Sequence, residues 1–271
     1  MDNYAKLSGA TRVIAIIGDP IAQVKSPAGV TQALLKHDRN ALVIPIHVTP
    51  ADLDSFVRGV SLAKNFDGFI VTVPHKFAAL KHCASVTEQA RFLGAVNVLR
   101  RNADGTWHGD MVDGTAFVSG IRSAGCKPEG QRALLVGAGG AGSAIALALL
   151  EAGVSELAVH DEDVVRRDSL IERLRTRFGA RVHFGSSDPT GFTLVANATP
   201  VGMREGDPYP VQVDKFTSDM FVGDVITAPA VTPMIVAARR AGCGTQIGGG
   251  MFLADQELML AFLLEDGPLA S

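Results

Sequence analysis

Short apolar runs alternate with stretches of helical periodicity along almost the whole chain. Residues 13–17 form the first run, closed by Gly18-Asp19-Pro20, and predict a buried parallel strand. Ser26-Pro27 predicts a helix start, with Ser26 as N-cap and Pro27 in the first turn. Strands are predicted over 41–48 and 68–73. Between them the capping-box-like Thr49-Pro50-Ala51-Asp52 opens a helix. A helix over 87–93 precedes two short strands, 97–101 and 106–109, whose connecting Asp104-Gly105 favours a hairpin. A helix over 114–123 follows.

The second half continues the alternation. Strands are predicted over 132–136, 156–160, 194–198 and 221–225. Helices are predicted from the 137–142 loop to about 152, over 164–178, over 232–241 with Gly242 as C-cap, and over 251–264. This order predicts an α/β protein with largely parallel sheets in both halves.

Composition narrows the picture. A hydrophobic share of 47% over 271 residues is enough for two cores. The net charge of −3 implies no basic face, which argues against a nucleic-acid partner. Cys83, Cys126 and Cys243 are far apart, with no CxxC and no metal spacing, as expected of a reduced, cytoplasmic protein. The histidines show no ligand spacing either, so no metal is expected. The uncharged run 133–150 approaches membrane-spanning length, but its glycines mark a strand, a loop and a helix instead. No membrane partner and no signal peptide are expected.

The glycines carry chemistry. Gly137-Ala138-Gly139-Gly140-Ala141-Gly142 matches G-x-G-x-x-G between a predicted strand and a predicted helix. Gly137 would make the tight turn, Gly139 would admit a pyrophosphate, and Gly142 would let helix and strand pack closely. The helix N-terminus would face the anion with unpaired N–H groups. Asp161, at the end of the next strand, is the candidate for the ribose hydroxyls. A carboxylate there favours NAD, with NADP as the alternative. Arg166 and Arg167 complicate that preference, because a bent loop would bring one of them to a 2′-phosphate. Asp161 could instead simply cap the helix that follows.

Three further segments place polar groups at strand ends and helix starts: Val71-Thr72-Val73-Pro74-His75-Lys76, Ala95-Val96-Asn97 and Asp110-Met111-Val112-Asp113-Gly114. Open α/β sheets bind ligands at such positions. With Gly18-Asp19-Pro20-Ile21-Ala22, Ser26-Pro27, Asn197-Ala198-Thr199-Pro200-Val201-Gly202-Met203, Asp224-Val225-Ile226, Pro229 and Thr232, they resemble the shikimate/quinate dehydrogenase family over about residues 13–262.

The resemblance implies an N-terminal α/β substrate-binding domain over 1–112 and a Rossmann domain over 113–243. A C-terminal segment, 244–271, would return its helix to the first domain. It implies an NAD(P)-dependent oxidoreductase that interconverts a cyclic hydroxy acid and its keto form, in aromatic amino-acid biosynthesis. Lys76 would be the proton shuttle, and Asp113 would bind the reacting hydroxyl and pair with Lys76. Ser26, Thr72, Asn97 and Gln256 would contact substrate, and Lys25 would attract its carboxylate. Asn97 would both donate to and accept from substrate hydroxyls. Cofactor contacts would come from the 137–142 loop, Asp161, Thr199, Pro200, Met203, Val225 and Gly249. The reading allows a homodimer.

The chain departs from the family where substrate would sit. Val24 replaces a serine, Ile70 an asparagine, Met111-Val112 an Asn-Thr, and Thr227 a tyrosine. Asp255 takes the place of the glutamine, so that Gln256 is one residue late. Unpaired buried hydroxyls are costly. These changes therefore favour the same hydride chemistry on a less hydroxylated substrate outside the shikimate pathway. A dinucleotide-binding sensor without turnover is a third reading, and the intact Lys76 and Asp113 argue against it.

Overall fold

The computed structural model describes residues 7–270. The domain bounds expected at residues 1 and 271 therefore lie outside the described residues. Two units are resolved: Met1–Val112 with Gln256–Ser271, and Asp113–Asp255.

The first unit runs β1 (Arg12–Gly18), α1 (Ser26–Lys36), β2 (Ala41–His47), α2 (Leu53–Val60), β3 (Phe66–Val71), α3 (Lys76–Ala79), β4 (Ser85–Val86), α4 (Glu88–Leu93), β5 (Val98–Arg101) and β6 (Trp107–Asp110). The sheet order is β2-β1-β3-β5-β6-β4. The expectation of a largely parallel sheet holds only in part here. β1 pairs in parallel with β2 and β3, but β3–β5 and β5–β6 are antiparallel. For β5–β6 the physical reason is the predicted hairpin, a tight turn at Asn102–Gly105 closed by Gly105 N–H donating to Asn102 O. It reverses the chain at once, whereas a parallel return needs a long crossover. β4, at two residues, is too short to leave a periodic signature.

Helix starts differ in detail. Lys25, not Ser26, holds the N-cap position of α1. Ser26 is its first residue and is buried. Asp52 precedes α2 without capping it, and instead accepts from Thr49 Oγ1 at 2.7 Å. Thr87 does cap α4, accepting from Ala90 N, and Gly94 ends that helix at φ +69°.

One face of the first sheet is covered by Val30 and Leu34 of α1 and by Met259, Phe262 and Leu263, packed on Ile14, Ile16 and Ile70. The last helix thus contributes to the first core, as expected. On another face Phe69 lies against Phe66 and Trp107, with ring centroids 4.9 and 4.8 Å apart.

The second unit contains α5 (Asp113–Ser123), β7 (Arg132–Val136), α6 (Gly140–Glu151), β8 (Glu156–His160), α7 (Val164–Phe178), β9 (Val182–Phe184), β10 (Leu194–Asn197), β11 (Phe221–Asp224), α8 (Pro233–Arg240) and β12 (Gly244–Gln246). α9 (Gly248–Glu265) begins in this unit and ends in the first. Every strand pair is parallel, in the order β12-β11-β10-β7-β8-β9. The chain winds outward from β7 to β9 and then jumps back to β10. This doubly wound order leaves its switch point between β7 and β10. Among the described residues no helix is long and apolar enough to cross a membrane. All three cysteines are free thiols, and burial pushes Cys83 to about 12 and Cys126 to about 11.

Candidate active site

In the first unit, backbone hydrogen bonds gather three predicted segments. Thr72 N donates to Ile17 O at 2.9 Å, Asp19 N to Val73 O at 3.0 Å, Val71 N to Asn97 O at 2.7 Å and Val96 N to Lys76 O at 2.9 Å. The end of β1, the Thr72–Lys76 segment and the start of β5 are therefore one assembly. Gly18 is required there, because a Cβ would lie 2.5 Å from Thr72 Cγ2. Lys76 opens α3. The neighbouring His75 is buried and donates Nε2–H to Val48 O at 2.7 Å, so it holds the residue that follows β2.

Asn97 is fully buried, and its Oδ1 accepts from Val112 N at 2.9 Å. The carbonyl end of the amide thus holds the backbone that leads into α5. Asp110 fixes the same turn by accepting from Thr87 Oγ1, from Gln89 Nε2 at 2.8 Å and from Met111 N at 2.7 Å.

Ser26 is buried at the start of α1, with Lys25 exposed before it. Gln256, on α9, lies against the same helix. A Cβ on Gly29 would fall 1.7 Å from its Nε2, and that buried nitrogen has no hydrogen-bond partner. The departures from the family pattern are apolar in their surroundings too. Ile70 belongs to the core cluster, Val24 packs on it, and Met111 is buried.

In the second unit Asp113 is the buried first residue of α5. Gly114 follows because α5 touches α6 there: a Cβ would sit 2.1 Å from Ala144 O. The glycine loop follows β7 as predicted. Gly137 has φ +102°, and a Cβ would meet Ala198 C at 2.8 Å. A Cβ on Gly142 would lie 1.9 Å from Gly137 O. Gly139 sits at the N-cap position of α6, and a Cβ there would meet nothing within 4 Å. Two glycines therefore serve close packing. The third leaves open space at a helix N-terminus, which fits a pyrophosphate.

Asp161 is buried beside this loop. Its Oδ2 accepts from Ala138 N at 2.6 Å and Arg166 Nε at 3.1 Å, and its Oδ1 from Asp163 N at 2.8 Å and Arg166 Nη2 at 2.7 Å. Burial pushes the carboxyl up, but the bonds from Arg166, Ala138 and Asp163 outweigh it and hold the group below the usual carboxylate range. The helix-cap reading of Asp161 is corrected: Asp163 caps α7, accepting from Arg166 N. Of the two arginines, Arg166 reaches Asp161. Arg167 instead pairs with Asp168 at 2.8 Å and lies over the Phe184 ring at 5.0 Å.

Across the switch point, Asn197 and Asp224 face each other in register at the ends of β10 and β11. Asn197 Oδ1 accepts from Thr199 N at 3.0 Å and Thr199 Oγ1 at 2.7 Å, and its Nδ2 donates to Asp224 Oδ1 at 3.2 Å. Asp224 also accepts from Ile226 N at 3.1 Å and Thr232 Oγ1 at 2.6 Å. Val225 N donates to Asn197 O at 3.2 Å, and Met203 N to Pro200 O at 3.1 Å. Gly248 packs on this segment, since a Cβ would lie 2.2 Å from Ile226 O, and Gly249 follows it. The motifs holding Asn197, Asp224 and Thr232 were visible in the sequence. Their mutual bonding was not, because it depends on β10 and β11 being neighbours. No group of three or more metal-binding side chains occurs among the described residues.

Residues 16–99 match the family described as Shikimate dehydrogenase substrate binding domain, and residues 124–173 match the ThiF family. A shikimate dehydrogenase (NADP(+)) of Rubrobacter xylanophilus is 36% identical over 254 residues, 92% of this chain and 89% of that protein. The quinate dehydrogenase of Corynebacterium glutamicum, solved with NAD, superposes with a TM-score of 0.84 at 29% identity, covering 94% of each chain. The 5-ketofructose reductase of a Gluconobacter strain gives a TM-score of 0.82 at 28% identity, covering 94% of this chain and 93% of that one. With more than a third of its residues shared with a relative matched along nearly its full length, this chain belongs to the shikimate dehydrogenase family.

Proposed function

We propose that this oxidoreductase of the shikimate dehydrogenase family interconverts a cyclic hydroxy acid and its keto form, as in aromatic amino-acid biosynthesis. The observation that carries the reading is the glycine loop at the switch point of a fully parallel sheet, joined in one chain to the Thr72–Lys76–Asn97 assembly. The residues around Gly139 fit a dinucleotide pyrophosphate, and the nicotinamide would supply hydride acceptance or donation.

This chain's residues then handle the proton and the orientation. In the oxidation direction, the carbinol carbon gives up its hydride and the hydroxyl proton passes to Lys76, a general base at the head of α3. Asp113 holds the reacting hydroxyl. Asn97 donates from its amide, and Thr72 and Ser26 bond further oxygens. Lys25 attracts the carboxylate. Gln256 donates to a substrate oxygen near α1, a role supported by its buried nitrogen having no partner among the described residues.

The cofactor preference expected from Asp161 lacks support. The curated relative is named for NADP(+), while a solved neighbour holds NAD. Four donors already surround the Asp161 carboxylate. In our reading Asp161 anchors the loop and presents Arg166 to a 2′-phosphate, so NADP is preferred and NAD tolerated.

A second reading keeps the chemistry and changes the substrate. The side chains of Val24, Ile70 and Met111 offer no hydrogen bonds, and one structural neighbour is named a 5-ketofructose reductase. A panel of shikimate, quinate and less hydroxylated ring acids with NADP and NAD, read at the reduced-nicotinamide absorbance, separates the two. Efficient shikimate turnover supports the first, and turnover restricted to the less hydroxylated acids supports the second. Cofactor binding with no turnover of any acid would point to a sensor.

A further inference from the structure

Asp224 is a buried carboxylate whose described hydrogen-bond partners are all neutral: Asn197, Thr232 and the backbone N–H of Ile226. Burial, the largest influence, pushes the carboxyl up, while the bonds from Thr232, Ile226 and Asn197 oppose that shift. A charge in such a place is expensive to bury, and an apolar side chain could fill the space at less cost. Its bonding pattern suggests why it is there. One oxygen bonds Asn197 Nδ2 and Ile226 N, and the other bonds Thr232 Oγ1 at the start of α8. Asn197 in turn holds Thr199 through two bonds, and Thr199 Oγ1 accepts from Val201 N at 3.1 Å. Two loops that leave adjacent strands are thus tied through one carboxylate.

Their position gives the tie a purpose. In a doubly wound sheet the dinucleotide crosses at the switch point, here between β7 and β10. Asp161, just after β8, and Arg166, in the first turn of α7, mark the adenosine side. The ends of β10 and β11 are on the other side, where the nicotinamide half must lie. We propose that Asp224 is a positioning residue that acts through Asn197 and Thr232 to hold the 199–203 turn and the 225–227 backbone as one wall for the nicotinamide half of the cofactor. The proposal rests on the dinucleotide reading above.

The test is binding rather than turnover. Asp224→Asn keeps the shape: its oxygen can still accept from Asn197 and Ile226, while its new N–H₂ faces a Thr232 hydroxyl whose proton must turn away. Thr232→Val removes the same link from the other end, and serves if Asp224→Asn does not fold. Affinities are measured by titration calorimetry for NADPH against adenosine 2′,5′-bisphosphate, and for NADH against ADP. The second ligand of each pair lacks the nicotinamide.

Each variant is expected to bind the nicotinamide-bearing ligand about tenfold more weakly, the scale of one charge-assisted hydrogen bond, with the adenosine fragment within about twofold of wild type. Equal losses for both ligands of a pair, or no loss for either, would overturn the positioning role. Wild-type protein that binds neither pair would overturn the dinucleotide reading itself and the proposal with it.

Discussion

The two units solve the problem of ligand binding in different materials. In the second, the cofactor cradle we propose is made of backbone. Gly137 and Gly142 allow contacts that a Cβ would forbid, and Gly139 leaves a helix N-terminus open. In the first, the groups we propose for substrate are side chains, Thr72, Lys76 and Asn97, on a framework of backbone bonds. Backbone geometry tolerates few sequences, so the glycine loop keeps its pattern. Side-chain pockets can be repolarised one position at a time, and it is in the first unit that Ile70 and Val24 have joined an apolar cluster.

The sharpest way to break the comparison is to remove chemistry from one unit and watch the other. Lys76→Ala should lower turnover by about 10²- to 10⁴-fold, the usual contribution of a general base, and leave NADPH affinity intact. Steady-state kinetics with parallel cofactor titration checks this. Retained turnover would remove Lys76 from the mechanism.

The glycines come next. Gly142→Ala places a methyl 1.9 Å from Gly137 O, so both melting temperature and cofactor binding should fall. Gly139→Ala meets nothing in the protein. It should melt like wild type and bind NADPH at least about tenfold more weakly, because the methyl occupies the space a pyrophosphate needs. If Gly139→Ala binds normally, the loop is not the pyrophosphate site.

What the sequence revealed follows the same division. The second unit was legible except at the two edges of its sheet, where β9 and β12, three residues each, are too short for a periodic signature. β7, β8 and α7 lie where apolar period and caps put them, because parallel strands buried on both faces read as continuous apolar runs. The first sheet was less legible. The β5–β6 hairpin was read from Asp104-Gly105, but the antiparallel pairing of β3 with β5 joins strands with no hairpin between them, and β4 is too short for any period. Site residues were visible as types but not as bonds. That Asn97 Oδ1 is held by Val112, or that Asp161 is ringed by four donors, depends on how strands far apart in sequence meet. The α1 cap was misread for a local reason: Ser26 has the chemistry of a cap, but burial draws it into the first turn.

Arg166 probes the cofactor side more finely. Arg166→Ala should weaken NADPH by about tenfold or more, as expected for loss of a charged bond to phosphate. NADH should be unchanged or tighter, since two acceptor positions on Asp161 become open to ribose hydroxyls. Equal effects on both cofactors would take Arg166 out of the discrimination.

The smallest expected effect falls on the substrate side, at Ile70. Restoring the asparagine of the family pattern places an amide where the side chain is 2% exposed, among Ile14, Ile16 and Val98. An amide left without partners there should cost about 1–3 kcal/mol of stability, measured by urea unfolding. If the missing polar contacts explain a shifted substrate preference, Ile70→Asn should raise kcat/KM for shikimate relative to less hydroxylated acids, despite the lost stability. The opposing signs make the test informative, because a merely damaged protein would lose activity toward every acid together. A stability loss with an unchanged substrate ratio would mean that Ile70 is a core residue only, and that the first unit's divergence lies elsewhere.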